Sequence, residues 1–167
     1  MHTIDQVAGL IDEYTVTYSF LLQTCTGLGL PLTNSPLFNF RDALGHYSLL
    51  YDAKDDETKI AHETSIVEHL HRGLRDGCYF ILQKLKIGLQ AELKAKLSIP
   101  DRCRELRSLL HRCKSLELRM RKLVIITSAE IDVCIIELDV AVADIRTSFN
   151  KYDIEWDFSK YQKAHVI

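Results

Sequence analysis

The sequence contains few residues that interrupt a helix. It has three prolines and seven glycines in 167 residues, and no proline lies between Pro36 and Pro100. Few turns between long periodic segments indicate a small number of long helices. No apolar run approaches about 18 residues, so the sequence predicts no membrane span. The net charge of −2 does not by itself predict nucleic-acid binding.

Several motifs that would identify a function directly are also missing. The chain has no Walker loop, no Gly-x-Gly-x-x-Gly sequence, no nucleophile elbow and no zinc-ligand spacing. Its five cysteines form no Cys-x-x-Cys pair, and the N-terminus has no signal-peptide pattern. These features predict buried free thiols in a reducing cytoplasm. We expect no cofactor and no metal.

The longest periodic segment runs from Asp55 to Ile99, with Asp55 or Asp56 able to cap its start. Its apolar residues recur mostly every three, four or seven positions, which is the spacing of one helical face. They are Ile60, Val67, Leu70, Leu74, Ile81, Leu85, Leu89, Leu93 and Leu97. A helix of that length would span about 65 Å. We therefore expect either a bend at Gly73, Gly77 or Gly88, or an elongated molecule that forms oligomers, with a dimer first.

The segments before and after it also have helical periodicity. The first covers residues 3–28, and a second is predicted to start with Ser35 as its cap and Pro36 in the first turn and to end near Ala53. The sequence thus predicts an all-α fold, an antiparallel bundle of four to five long helices over residues 1–151. Residues 152–167 are predicted to form an extended tail, because aromatic or apolar residues alternate with acids from Tyr152 to Phe158. We expect this tail, with Trp156, to dock on its own bundle or on a protein partner.

The charge of the chain changes sign within its second half. Residues 101–122 contain eight Lys or Arg and three acids, whereas residues 130–157 contain eight acids and two bases. Two interpretations are open for the basic segment. It can bind phosphates, with Arg102, Arg107 and Arg112 as contacts, or it can pair antiparallel with the acidic segment. The sequence leaves open whether residues 101–150 form one helix or two.

The strongest chemical lead is the sequence Arg41-Asp42-Ala43-Leu44-Gly45-His46-Tyr47. The pattern is an Arg and a polar residue, followed after three positions by His and an aromatic residue. This pattern resembles the signature of the HEPN superfamily. That resemblance implies a small helical domain, usually dimeric, and in many members a ribonuclease of microbial defence or toxin–antitoxin systems. It implies that Arg41 holds a phosphate, that His46 performs acid–base chemistry on the ribose 2′-hydroxyl, and that Asp42 orients them.

A second polar cluster occupies the middle of the long segment. His62 and His69 are seven residues apart and share a helix face, as expected for neighbours of one polar surface. This cluster can extend the site around Arg41, or it can be a solvated face with ion pairs. We assign binding roles to Tyr47, Arg72, Arg75, Arg102, Arg107, Arg112 and Trp156.

Two functions compete at this point. The first is an RNA-binding or RNA-cleaving HEPN-like protein, a metal-independent endoribonuclease if it is catalytic. The second is a non-catalytic helical module that oligomerises or binds a protein partner, through residues 152–167 among others. The first predicts that Arg41 and His46 share one open cleft.

Overall fold

The computed structural model describes residues 4–31, 33–95, 99–122 and 128–161. These residues contain five helices and no strand, so the predicted all-α bundle is confirmed. The helices are α1 (Ile4–Gly27), α2 (Ser35–Asp52), α3 (Asp56–Ala95), α4 (Pro100–Lys122) and α5 (Ser128–Lys151). None of the helices in these ranges is apolar enough over sufficient length to cross a membrane.

The central helix α3 is uninterrupted through all three of its glycines. Its 40 residues correspond to a length of about 60 Å. α2 packs antiparallel along its first half, and α4 packs antiparallel along its second half. α1 and α5 also contact α3. α3 is therefore one uninterrupted helix with shorter helices packed along its length, and the oligomer expected for an elongated molecule stays a prediction.

Two glycines of α3 allow the neighbouring helices to approach closely. A Cβ on Gly73 would lie 2.7 Å from the hydroxyl oxygen of Tyr14 and 3.2 Å from Cβ of Asn39. A Cβ on Gly77 would lie 2.8 Å from a methyl carbon of Leu21. These two glycines, four residues apart, thus serve the packing of α1 and α2 on α3.

The start of α3 follows the sequence prediction, and that of α2 differs from it. Asp55 caps α3, because its carboxylate accepts hydrogen bonds from the backbone N–H (2.7 Å) and the hydroxyl (2.9 Å) of Thr58. Ser35 was predicted to cap α2, but the cap position is Asn34, and its side chain makes no capping hydrogen bond. The Ser35 hydroxyl instead donates to Asp76 Oδ2 of α3 at 2.6 Å.

The basic and acidic segments form two helices that pair antiparallel. Ion pairs join Arg119 to Glu137 and Arg112 to Asp144, and a third of reversed polarity joins Glu105 to Lys151 at 2.7 Å. Successive pairs are seven residues apart on both helices, so one side of α4 follows one side of α5 through about four turns. The interpretation as charge pairing is therefore confirmed for these residues. Residues 123–127, between the two helices in the sequence, lie outside the described ranges.

Residues 152–161 pack on the bundle of their own chain. The Phe158 N–H donates to the Leu28 carbonyl at 3.0 Å, and the Phe158 ring occupies the space beside Gly88. Ile154 and Phe158 are buried whereas Asp153 and Glu155 are exposed, which is the predicted alternation. The segment forms no strand, and a short 3₁₀ turn covers its end at residues 159–161. Residues 162–167 of the predicted tail lie outside the described part of the chain.

The core is continuous along α3 and includes Cys25, Cys78, Cys113 and Cys134. All five cysteines are buried and none of them forms a disulfide, as predicted. Burial raises the pKa of Cys25 and of Cys113 to about 11, because a thiolate is poorly solvated in an apolar environment. These thiols are therefore packing groups and not nucleophiles.

Candidate functional site

An open hollow lies where α2 runs along the first half of α3. Its wall is formed by the predicted catalytic residues together with three neighbours; the lining residues are Arg41, Asp42, Gly45, His46, Leu49 and His69. α2 continues as a helix through Gly45, and a Cβ at that position would meet no atom within 4 Å. The hollow thus brings Arg41 and His46 to one surface without any break in α2.

The guanidinium of Arg41 is held at the mouth of this hollow. Its Nε and Nη2 both donate to Asp42 Oδ1, at 2.9 and 2.7 Å, and its Cζ lies 5.3 Å from the ring centroid of Phe38. The hydrogen bonds from Arg41 lower the pKa of Asp42, so this residue is a carboxylate at neutral pH. The Arg41 side chain is 71% exposed, which leaves its remaining N–H groups available to an external anion.

His46 of α2 is oriented by a hydrogen bond with His62 of α3. The Nδ1 atoms of the two rings are 3.1 Å apart. His62 is not part of the wall of the hollow, so this hydrogen bond engages the side of the His46 ring that faces α3. Burial, followed by the positive charges of His69 and His62, lowers the pKa of His46, and Asp42 opposes that shift. His46 is therefore neutral at pH 7.

His69 is the second histidine in the wall, and its contact with Asn39 sets its tautomer. Its Nδ1 lies 3.3 Å from Asn39 Oδ1. The Asn39 amide is oriented by its own donation from Nδ2 to the Ser35 carbonyl at 2.9 Å. Because Oδ1 can only accept, His69 Nδ1 carries the hydrogen and Nε2 is left for the hollow. The His46 and His69 rings stack with centroids 5.5 Å apart.

This arrangement supplies what a metal-independent proton-transfer site requires. Two imidazoles stand side by side, each with Nδ1 at hydrogen-bonding distance from an orienting partner, and Nε2 is the remaining nitrogen of each ring that can act as base or acid. A guanidinium at the same hollow can bind a phosphate. Within the described ranges, no group of three or more His, Cys, Asp or Glu side chains has the arrangement of a metal site.

The sequence analysis left open whether the cluster of His62 and His69 extends the site around Arg41, and the structure places His69 in the wall of the hollow and His62 against His46. The signal that could have identified them is their spacing, because residues seven apart on α3 face residues seven apart on an antiparallel α2. His46 lies opposite His62, and Asn39 lies opposite His69. Sequence alone does not reveal this register, since it depends on the turn between α2 and α3.

None of the predicted binding residues Tyr47, Arg72 and Arg75 lines the hollow. The Tyr47 hydroxyl lies 2.9 Å from that of Tyr51 on the outer side of α2. Arg72 is exposed one turn from His69. Arg75 lines a second hollow with Asp76, Tyr79, Met120 and Arg121, where α3 meets the end of α4.

The other predicted binding residues lie elsewhere. Arg102 is buried and donates to Glu92 at 2.7 Å, and Arg112 is paired with Asp144. Arg107 is exposed and makes no ion pair with any residue in the described ranges. Trp156 packs against Phe149 and Phe158 at centroid distances of 5.6 and 5.2 Å, so its ring belongs to the C-terminal packing and not to the hollow.

Comparison of the chain with family models, with curated proteins and with solved structures found no match. The relation of residues 41–47 to the HEPN superfamily therefore remains a resemblance in seven residues. The function is argued below from the geometry of the hollow.

Proposed function

We propose that this protein cleaves RNA at the hollow between α2 and α3 by acid–base chemistry of its own side chains. The observation that supports this proposal is the presence of Arg41, His46 and His69 in the wall of one open hollow. A neutral imidazole, a second imidazole beside it and a phosphate-binding guanidinium are the groups needed to move a proton from a ribose hydroxyl to a leaving oxygen.

In the proposed reaction, Arg41 binds a phosphodiester of single-stranded RNA. His46 Nε2 accepts the proton of the 2′-hydroxyl, whose oxygen attacks the adjacent phosphorus. The bond from phosphorus to the 5′-oxygen breaks, and protonated His69 gives its Nε2 proton to that oxygen. The products are a 2′,3′-cyclic phosphate and a 5′-hydroxyl, and the two histidines end with the proton transferred from one to the other.

The groups behind the hollow prepare the two imidazoles for these roles. When His46 Nε2 is the base, its Nδ1 carries a hydrogen that His62 Nδ1 can accept. The lowered pKa of His46 keeps it unprotonated at neutral pH. Asp42 fixes one edge of Arg41 and leaves the other edge for phosphate. Each of these contacts orients a side chain before substrate binds.

The experiment is cleavage of a fluorescent single-stranded RNA by the full chain and by three variants. H46Q and R41Q remove the proposed base and the phosphate contact, and we expect activity to fall by about 100-fold or more for H46Q. N150Q replaces an exposed residue of α5, away from the hollow, and serves as the control with full activity. A strand with one 2′-deoxy position should resist cleavage there. Equal activity of H46Q and the unaltered chain would disprove the proposal, provided that circular dichroism shows both folded.

A second candidate, a non-catalytic oligomerisation module, is favoured by the outer face of α2. This helix packs mainly on α3 and exposes five large apolar side chains: Leu37, Phe38, Leu44, Leu49 and Tyr51. Leu37, Leu44 and Tyr51 are spaced by seven and form one stripe, which suits a second helix. The occupant we propose is α2 of a second copy, because a dimer there would cover the stripe next to the hollow in both subunits.

Sedimentation of the full chain tests this face. We expect a dimer for the unaltered protein and a monomer for L44D. The matched control V140D places a charge on an equally exposed apolar position of α5 and should remain dimeric. A dimer that cleaves no RNA would favour the module over the nuclease, and a monomeric unaltered protein would exclude α2 as the interface.

A further inference from the structure

The outward side of α4 carries a row of cations that the bundle does not use. Six exposed residues recur at intervals of three or four and therefore lie along one side of the helix. They are the four cations Arg104, Arg107, Lys114 and Lys122 together with His111 and Leu118, and we call this row the α4 strip. From Arg104 to Lys122 it is about 27 Å long.

The other cations of α4 are engaged within the protein. Arg102 is buried against Glu92, Arg112 and Arg119 belong to the ion pairs with α5, and Arg121 donates to Glu117 at 2.8 Å. On the α4 strip, Arg104 lies 3.6 Å from Asp101, and both side chains are more than 80% exposed. Arg107, Lys114 and Lys122 make no ion pair with a described residue. The eight cations of α4 are thus divided by position into an internal set and a solvent set.

The α4 strip leads toward the hollow between α2 and α3. α4 and α2 both run antiparallel to α3, one along each half, so the end of α4 and the start of α2 lie against neighbouring turns of α3. Arg121 of α4 contacts Tyr79 of α3. Three residues before Tyr79, Asp76 accepts a hydrogen bond from Ser35 of α2. Arg75 and Arg121 share the second hollow at this junction, and exposed Arg72 follows one turn nearer to His69. A series of cations therefore connects α4 with the proposed site.

We infer that the α4 strip binds the phosphate backbone of single-stranded RNA and guides the strand past Arg75 and Arg72 to the hollow. This inference rests on the proposed function, because it extends the substrate path of the same site. The strip has no aromatic side chain, so binding is carried by phosphates and is independent of sequence. An acidic membrane fits less well, since Leu118 is the only apolar side chain among these cations and insertion requires a broad apolar face.

The structure offers a matched pair of variants on the same helix. R107Q/K114Q removes two charges from the α4 strip, and R112Q/R119Q removes two charges from the ion pairs with α5. The change in net charge is equal, so a general electrostatic attraction would respond equally to both. Exposed ion pairs of this kind contribute at most about 1 kcal/mol each to stability, so we expect both variants to fold.

The test is fluorescence anisotropy of a 2′-O-methyl single-stranded RNA, which binds but has no free 2′-hydroxyl to react. We expect R107Q/K114Q to weaken binding about tenfold and to reduce the slope of log affinity against log salt by about 1.4. We expect R112Q/R119Q to change affinity by less than about twofold.

The outcomes separate this inference from the proposed reaction. Selective loss of RNA binding in R107Q/K114Q supports the role of the α4 strip even if the cleavage assay shows no activity. Active cleavage with no effect of R107Q/K114Q on RNA binding overturns the inference about the strip and leaves the proposed reaction standing. Equal loss in both variants, or no binding of RNA by the unaltered chain, also overturns it. Vesicles containing phosphatidylserine are the comparison ligand, and strip-dependent binding to vesicles without binding to RNA would overturn it in favour of a lipid surface.

Discussion

His46 on α2 and His62 on α3 approach with their Nδ1 atoms 3.1 Å apart. One nitrogen must donate and the other must accept, so protonation of both rings would place two N–H groups against each other. His69 stacks on the other side of His46 at 5.5 Å and adds a further charge when it is protonated. The contact therefore favours a neutral His46, which is the state that the proposed reaction needs. Because protonation of His46 weakens this contact, the stability of the fold also depends on pH.

We expect the free energy of unfolding to fall as the pH is lowered through about 6.5. Burial and the neighbouring histidines lower the pKa of His46 in the folded state. The unfolded chain then binds more protons between that pKa and the ordinary value of about 6.5, so stability is complete above 6.5 and declines below it. Urea unfolding between pH 5 and 8 measures this decline. H46N should flatten the profile over that range and H111N, at an exposed position, should not.

The contact of Gly88 with Phe158 predicts a strong effect of adding one methyl group. A Cβ on Gly88 would collide with the Phe158 ring and lie 3.1 Å from the Tyr161 ring, and Phe158 is fully buried between Phe149 and Trp156. We expect G88A to lower the free energy of unfolding by about 1–3 kcal/mol. The control is G9A, where nothing lies within 4 Å, and it should stabilise the protein by about 0.5–1 kcal/mol. Similar effects of both variants in urea unfolding would argue against this packing.

The paired charges of α4 and α5 predict an interaction that follows the register. R119E and E137R should each destabilise the protein, and the exchanged pair R119E/E137R should recover stability, with a coupling of about 0.2–1 kcal/mol that weakens in high salt. A double-mutant cycle measures this coupling. The combination of R119E with D144R, which joins residues from different pairs, should be additive. Coupling in the second cycle and none in the first would indicate a different register.

The buried pair of Lys86 with Glu117 predicts a large effect of removing one partner. Their side chains are 14% and 8% exposed, and Glu117 also accepts from Gln83 at 2.8 Å. Burial opposes ionisation of Glu117, but the hydrogen bond and charge of Lys86 outweigh it and lower the pKa. We expect E117L to cost about 3–5 kcal/mol, because Lys86 would remain buried without a counter-charge, and K86L/E117L to recover most of it. E155Q, in an exposed pair with Lys160, should change stability by less than 1 kcal/mol in chemical denaturation.

Much of the architecture followed from periodicity and from the few breakers. The repeat of apolar residues from Ile60 onward predicted α3, and Asp55 was identified as one of two possible caps. The charge reversal after Pro100 indicated the pairing of α4 with α5 as one of two open interpretations, and the structure shows it. The Ser35 cap was wrong because its hydroxyl binds Asp76, 41 residues away, and a local rule cannot anticipate such a partner.

The amino-acid sequence by itself determined the helices, the alternation of Tyr152 to Phe158 and the candidate residues Arg41 and His46, because each depends on neighbours within a few turns. Only the tertiary structure decided which cations are free. Arg102 and Arg107 are equivalent in the sequence, but one is buried against Glu92 and the other faces solvent. The tertiary structure likewise placed His62 and His69 beside His46, since the register of two antiparallel helices depends on the packing of their whole length.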